Sequence, residues 1–196
     1  ERYSLIDEMD LIILRKVIDW IESDTPPFAR IDVNVSGFSL ESSRFMDQVV
    51  ELLETHPRIG HCLCFEITET AAIRHLQPAI DFLHQVKRFG CQVSLDDFGS
   101  GFASFQQLKH LPVDMVKIDG TFVRDILDDP TDAAMVSAIQ EVSRTMGILT
   151  VAEFVENSEI AAELARLGVD YAQGYHYSAP FPVHASDSNA STPLPA

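Results

Sequence analysis

Residues 93–108, VSLDDFGSGFASFQQL, pass from an apolar strand pattern through two adjacent aspartates into a glycine-rich turn and then a helical pattern. A strand, a turn and a helix in that order make one βα unit. The same order recurs on both sides of it. Strands are predicted at 31–36, 62–67, 91–96, 114–118, 148–153 and 169–173. Helices are predicted at 42–55, 78–88, 102–110, 131–146 and 158–167, with a further one at 5–22 ahead of the first strand. Gly90, Gly147 and Gly168 stand where a helix should end and the next strand begin. Strands in such a series need helical crossovers and therefore form a parallel sheet. The α/β class follows, as either a doubly wound sheet or most of an eightfold barrel.

Polar residues at the strand ends favour the barrel. Asn34 lies near the end of the first strand, Glu66 near the end of the second, and Asp96 with Asp97 at the end of the third. Lys117 closes the fourth, Glu153 the fifth and Gln173 the sixth. A doubly wound sheet gathers its ligands at one switch point, whereas a βα barrel draws reactive groups from the C-terminal ends of many strands. The expected architecture is a TIM-like (β/α)8 barrel with about six of its eight strands in this chain, the other two lying upstream.

Composition narrows the function. The chain has 196 residues, 46% of them hydrophobic, as expected for a soluble globular domain. Fourteen basic against thirty acidic residues give a formal charge of −16, which disfavours binding a nucleic acid polymer through its phosphates. Cys62, Cys64 and Cys91 are odd in number and sit in apolar runs, as buried thiols do, and Cys62-x-Cys64 has the spacing of one strand face rather than of a zinc knuckle. No stretch reaches the roughly 18 apolar residues of a membrane span. The first twenty residues read as an amphipathic helix with Ile6, Met9, Ile13, Val17 and Trp20 as core or interface, not as a signal peptide. Localisation is expected to be cytoplasmic, as a free domain or as the cytoplasmic part of a membrane-anchored protein. Residues 183–196, VHASDSNASTPLPA, are expected to form a disordered tail after a domain of residues 1–182.

Carboxylates and an amide oxygen at the strand ends suit Mg²⁺, Mn²⁺ or Ca²⁺, and the absence of histidine from the set argues against a zinc hydrolase. An adjacent pair such as Asp96 and Asp97 can serve two ions at once, the arrangement used for in-line displacement at phosphorus. Lys117 would add a fixed positive charge beside the attacking water or a phosphate oxygen. A second acidic doublet, in LDDPTD at 127–132, precedes a helix and contains Pro130, so it reads as an N-cap.

The stretches VNVSG, FEITET, SLDDFGSGFASFQQLKHLPVDMVKID, VAEFVE and DYAQGYHYSAP together resemble the EAL-domain family of cyclic di-GMP phosphodiesterases, over residues 1–182. The resemblance implies a modified eightfold barrel that hydrolyses cyclic di-GMP to linear pGpG in bacterial signalling. It implies that Asn34, Glu66, Asp96, Asp97 and Glu153 hold two divalent cations, Mg²⁺ or Mn²⁺, with Ca²⁺ inhibitory. Lys117, Glu153 and Gln173 take the catalytic positions, Asn34 and Glu156 are placed to contact substrate, and Glu69 braces the loop after the aspartate pair. A homodimer and an upstream sensor or GGDEF-type domain in a longer chain are also implied. His176 and Tyr177 are candidates for the rim of the site.

Two features depart from the family pattern. Phe154 stands where the family has the glycine of E-G-V-E, a change expected to be conservative. The Glu-Ala-Leu motif itself is expected about two dozen residues upstream of Glu1. A catalytically inactive EAL-type receptor for the same dinucleotide is the alternative function, and it is disfavoured because the ligand set is retained.

Overall fold

The computed structural model describes residues 4–23, 30–100 and 105–182. The predicted tail at 183–196 and part of the loop after the aspartate pair lie outside the described residues.

Helix α1 (Ser4–Ser23) precedes strand β1 (Ile31–Asn34), which leads into α2 (Gly37–Glu41) and α3 (Ser43–Thr55). Strand β2 (Leu63–Thr68) is followed by α4 (Glu69–Arg74) and α5 (Leu76–Lys87), and β3 (Gln92–Phe98) by α6 (Phe105–Leu108). Then come β4 (Met115–Ile118), α7 (Gly120–Arg124), α8 (Pro130–Met146), β5 (Leu149–Ala152), α9 (Ser158–Leu167) and β6 (Tyr171–Ala172). All neighbouring strands are parallel and their spatial order is their chain order, β1 to β6. A doubly wound sheet would start in the middle and reverse, so this order settles the choice left open by the strand count. The sheet is a curled half-barrel.

The six predicted strands are present, with β1, β4, β5 and β6 shorter than expected. Helices α2, α4 and α7 were not predicted. Each starts at or within a few residues of a strand end on a side-chain cap: Ser36 accepts the Ser39 N–H, Thr68 the Ala71 N–H and Asp119 the Thr121 N–H. Asp129 caps α8 in the same way ahead of Pro130, as expected for the 127–132 stretch. Gly147 and Gly168 end α8 and α9 in left-handed conformation.

Period-2 alternation divides the sheet between two faces. Leu63, Phe65 and Ile67 of β2 belong to the main core under the helices, where Phe65 meets Phe82 edge-on at 5.4 Å between ring centroids. Cys64, Met115 and Val151 form a separate small cluster on the concave face. Two residues further along the same strands come Glu66, Lys117 and Glu153, so the concave face turns from apolar to charged toward the C-terminal strand ends. Helix α1 narrows one expectation, for of the predicted stripe Val17 packs against the core. Its buried stripe is Leu11, Leu14 and Ile18, whereas Met9 and Ile13 are exposed. The run LIIL is apolar all round, so spacing alone admitted either stripe. Buried Asp10 fixes the helix by accepting from the Ser36 N–H at 2.9 Å and the Ser39 hydroxyl at 2.6 Å.

Candidate functional site

The charged ends of β2 to β5 converge on Lys117. Its Nζ lies 2.7 Å from Glu153 Oε1, 2.8 Å from Asp96 Oδ1 and 3.2 Å from Glu66 Oε1. Glu66, Lys117 and Glu153 are all buried. Burial alone would push the lysine toward neutrality, but the Glu66 charge and the hydrogen bonds to Asp96 and Glu153 outweigh it, and its pKa ends above the ordinary value. Glu66 is raised to about 7, chiefly by burial, with Lys117 pulling part of the way back. Glu153 is raised for the same first reason.

Asp97 joins them through a break in the strand. Adjacent strand residues point to opposite faces, so a regular β3 would send the two aspartates apart. Instead the β3–β4 register shifts between Leu95 and Phe98, and Asp97 takes a left-handed φ of 56°. Aspartate tolerates that conformation better than most residues. The result is that one carboxylate oxygen each from Asp96, Asp97 and Glu153 lie within 4.8 Å of one another. Burial raises the Asp97 pKa first, then the charges of Asp96 and Asp119. Asp119 was not singled out in the sequence, since it follows the end of β4 and caps α7, a helix too short to show a periodic pattern.

The cluster suits divalent cations on its own chemistry. Glu66, Asp96, Asp97 and Glu153 against Lys117 leave a formal −3, counting −4 and +1. Asp96 Oδ1 is buried and meets Lys117 Nζ at 2.8 Å, with no other partner among the described residues. A buried carboxylate oxygen with an unused lone pair is a ligand position for a hard cation.

The remaining predicted residues surround this centre. Asn34 is exposed at the end of β1, in register with Glu66. Glu69 is the first residue of α4, almost fully buried, and its Oε2 accepts the Gly99 N–H at 2.7 Å. It therefore contacts the turn just past the aspartate pair, and residues 101–104 of that loop lie outside the described residues. Gln173 and Glu156 are exposed and line a cleft of about 1010 Å³ that shares Glu153 with the cluster but contains neither Asp96 nor Lys117. The Gln173 carbonyl accepts the Val155 N–H at 3.0 Å, and a Cβ on Gly174 would stand 2.3 Å from Val155 backbone atoms. Only glycine permits that approach. His176 and Tyr177 follow it, their rings 4.9 Å apart, with Tyr177 on the cleft wall.

Phe154 corrects a second expectation. Its φ is 54°, in the left-handed region that favours glycine, so phenylalanine there is strained and not a conservative replacement.

Comparison with known proteins agrees with this geometry. The EAL domain family model matches residues 1–180. The cyclic di-GMP phosphodiesterase PdeB of Shewanella oneidensis is 42% identical over 185 residues, which is 93% of this chain and 22% of that protein. Among solved structures, the PaMucR phosphodiesterase in complex with c-di-GMP is 33% identical with a TM-score of 0.75, covering 92% of this chain and 71% of that one. The Xanthomonas citri FimX EAL domain in complex with c-diGMP has a TM-score of 0.84 at 28% identity, over 93% of this chain and 73% of that one. A match across nearly the whole chain, on a half-barrel whose strand ends converge in one acidic cluster, leaves one assignment: the chain belongs to the EAL domain family.

Proposed function

We propose that this chain supplies the catalytic face of a phosphodiesterase that hydrolyses cyclic di-GMP to linear pGpG with two divalent cations, Mg²⁺ or Mn²⁺. The observation that carries this reading is the convergence of Glu66, Asp96, Asp97 and Glu153 around Lys117, four carboxylates against one ammonium. The relatives named above support the substrate.

Glu66, Asp96, Asp97 and Glu153, with Asn34 at the mouth, would hold the cations. Divalent ions bound there supply an activated water and neutralise charge developing at phosphorus. Lys117 remains protonated because carboxylates surround it, so its Nζ presents a fixed positive charge to the phosphoryl oxygens in the transition state. Burial keeps competing water away and strengthens that interaction. Glu69 holds the turn at Gly99, and with it the backbone that sets the Asp97 carboxylate. Gln173 and Glu156, on the wall of the adjoining cleft, orient the dinucleotide. A homodimer, a linked sensor or GGDEF-type domain and a cytoplasmic location belong to the same proposal.

The test is chromatography of the products formed from cyclic di-GMP by the natural full-length protein in Mg²⁺ or Mn²⁺. Accumulation of pGpG that chelation abolishes supports the enzyme. Binding of cyclic di-GMP without turnover would transfer the reading to a receptor, and neither binding nor turnover would remove it.

A further inference from the structure

Phe154 occupies its strained conformation next to catalytic Glu153 and points into the cleft. Its left-handed φ of 54° carries an energy cost that a packed core would explain, yet the residue is 49% exposed. The ring rests on α7, whose first residue is Gly120. A Cβ at Gly120 would lie 2.1 Å from Phe154 Cδ2, so the ring fits only because that position has no side chain. One turn further along α7, the Arg124 guanidinium sits over the Phe154 ring, 4.3 Å from its centroid. Arg124, Phe154, Glu153, Glu156 and Gln173 all line the same cleft of about 1010 Å³. An exposed aromatic ring, pinned at one edge and backed by a cation, is a surface for stacking a planar group.

We propose that Phe154, with Arg124 stacked on it, is a nucleobase platform: one purine base of a cyclic dinucleotide lies on the exposed part of the ring. This deepens the function proposed above and rests on it. The base is the fitting occupant because the reacting phosphate must sit at the carboxylate cluster, and the cleft adjoining that cluster through Glu153 is where the attached nucleoside extends. Glu156 offers a carboxylate on the same wall to accept the N–H donors at a guanine edge. Arg124 adds positive charge at the mouth of a strongly acidic protein, where it offsets repulsion of an anionic ligand.

Phe154→Gly makes a clean test because glycine is at ease at this φ, and Phe154→Leu keeps apolar bulk without an aromatic face. Binding of cyclic di-GMP, and of its analogue with 2-aminopurine in place of one guanine, is measured on the natural full-length protein, with Ca²⁺ present to suppress turnover. Both variants should weaken cyclic di-GMP binding by about tenfold or more, the range of a lost base–aromatic stack. Quenching of the 2-aminopurine fluorescence seen with the unsubstituted protein should be relieved in both. The melting temperature of Phe154→Gly should not fall, which separates lost stacking from unfolding. If the unsubstituted protein binds and both variants match it in affinity and quenching, the platform is wrong while the proposed function stands. If the unsubstituted protein binds no cyclic di-GMP, both readings fall together.

Discussion

Asp97 shares a carboxylate cluster with its chain neighbour Asp96 only because its backbone leaves the strand at a φ of 56°. The register shift between Leu95 and Phe98 is therefore part of the site and not a defect in the sheet.

That relationship predicts opposite effects on stability and activity. Asp97→Gly should relieve the left-handed conformation and stabilise the fold by about 0.5–1 kcal/mol, yet remove a cluster carboxylate and lower hydrolysis by at least about a hundredfold. Asp96→Asn should lose activity without the gain in stability. Denaturant unfolding beside a pGpG assay checks both, and an active Asp97→Gly variant would detach Asp97 from the chemistry.

Lys117 is the cation among three carboxylate partners, so its removal has two consequences. Lys117→Met should lower the rate by about 10² or more, since a fixed charge acting on the transition state is gone. It should also destabilise the metal-free protein by about 3–5 kcal/mol by leaving buried carboxylates uncompensated. Mn²⁺ should restore the melting temperature but not the rate. Recovery of both would make the lysine a purely structural counter-charge.

Glu66 sets a pH window. Its folded pKa of about 7 lies above its ordinary value of 4.5, chiefly from burial. Between those values the folded state retains a proton that the unfolded state has released. In the metal-free protein this contribution to stability is present below about pH 4.5 and is lost as pH rises toward 7. Relative to Glu66→Gln, the unsubstituted protein should thus be less stable at pH 8 than at pH 5. A cation must displace the same proton, so apparent Mn²⁺ affinity should fall by up to about tenfold per pH unit below 7. Parallel pH profiles for the two proteins would refute the assignment.

Much of this was legible in the sequence, and the reasons differ by residue. Glu66, Asp96, Lys117 and Glu153 interrupt apolar strand patterns, so their place at strand ends follows from periodicity. Helices α2, α4 and α7 are short and directly capped by Ser36, Thr68 and Asp119, which left no periodic stretch to detect. The turning of Asp97 toward Asp96 depends on pairing with β4, a contact that local sequence does not encode. The fit of Phe154 against Gly120 is likewise tertiary, joining residues more than thirty positions apart.

Glu69 predicts a loop effect without loss of a cluster carboxylate. Its Oε2 accepts the Gly99 N–H at 2.7 Å from a nearly fully buried position. Glu69→Ala should cost about 1–3 kcal/mol in stability by leaving that donor unsatisfied, and should weaken both Mn²⁺ binding and activity. Glu69→Gln keeps an acceptor at the same reach and should recover part of each. Calorimetric Mn²⁺ titration of the two variants decides the matter, and unchanged affinity in Glu69→Ala would exclude coupling between Gly99 and the cluster.

The most direct test of the central claim is the rate of pGpG formation from cyclic di-GMP by the natural full-length protein, measured against Mn²⁺ concentration, for the unsubstituted chain and for Asp96→Asn. The account predicts metal-dependent turnover in the first and none above background in the second. Equal turnover by both proteins, or turnover that persists in excess chelator, would contradict it.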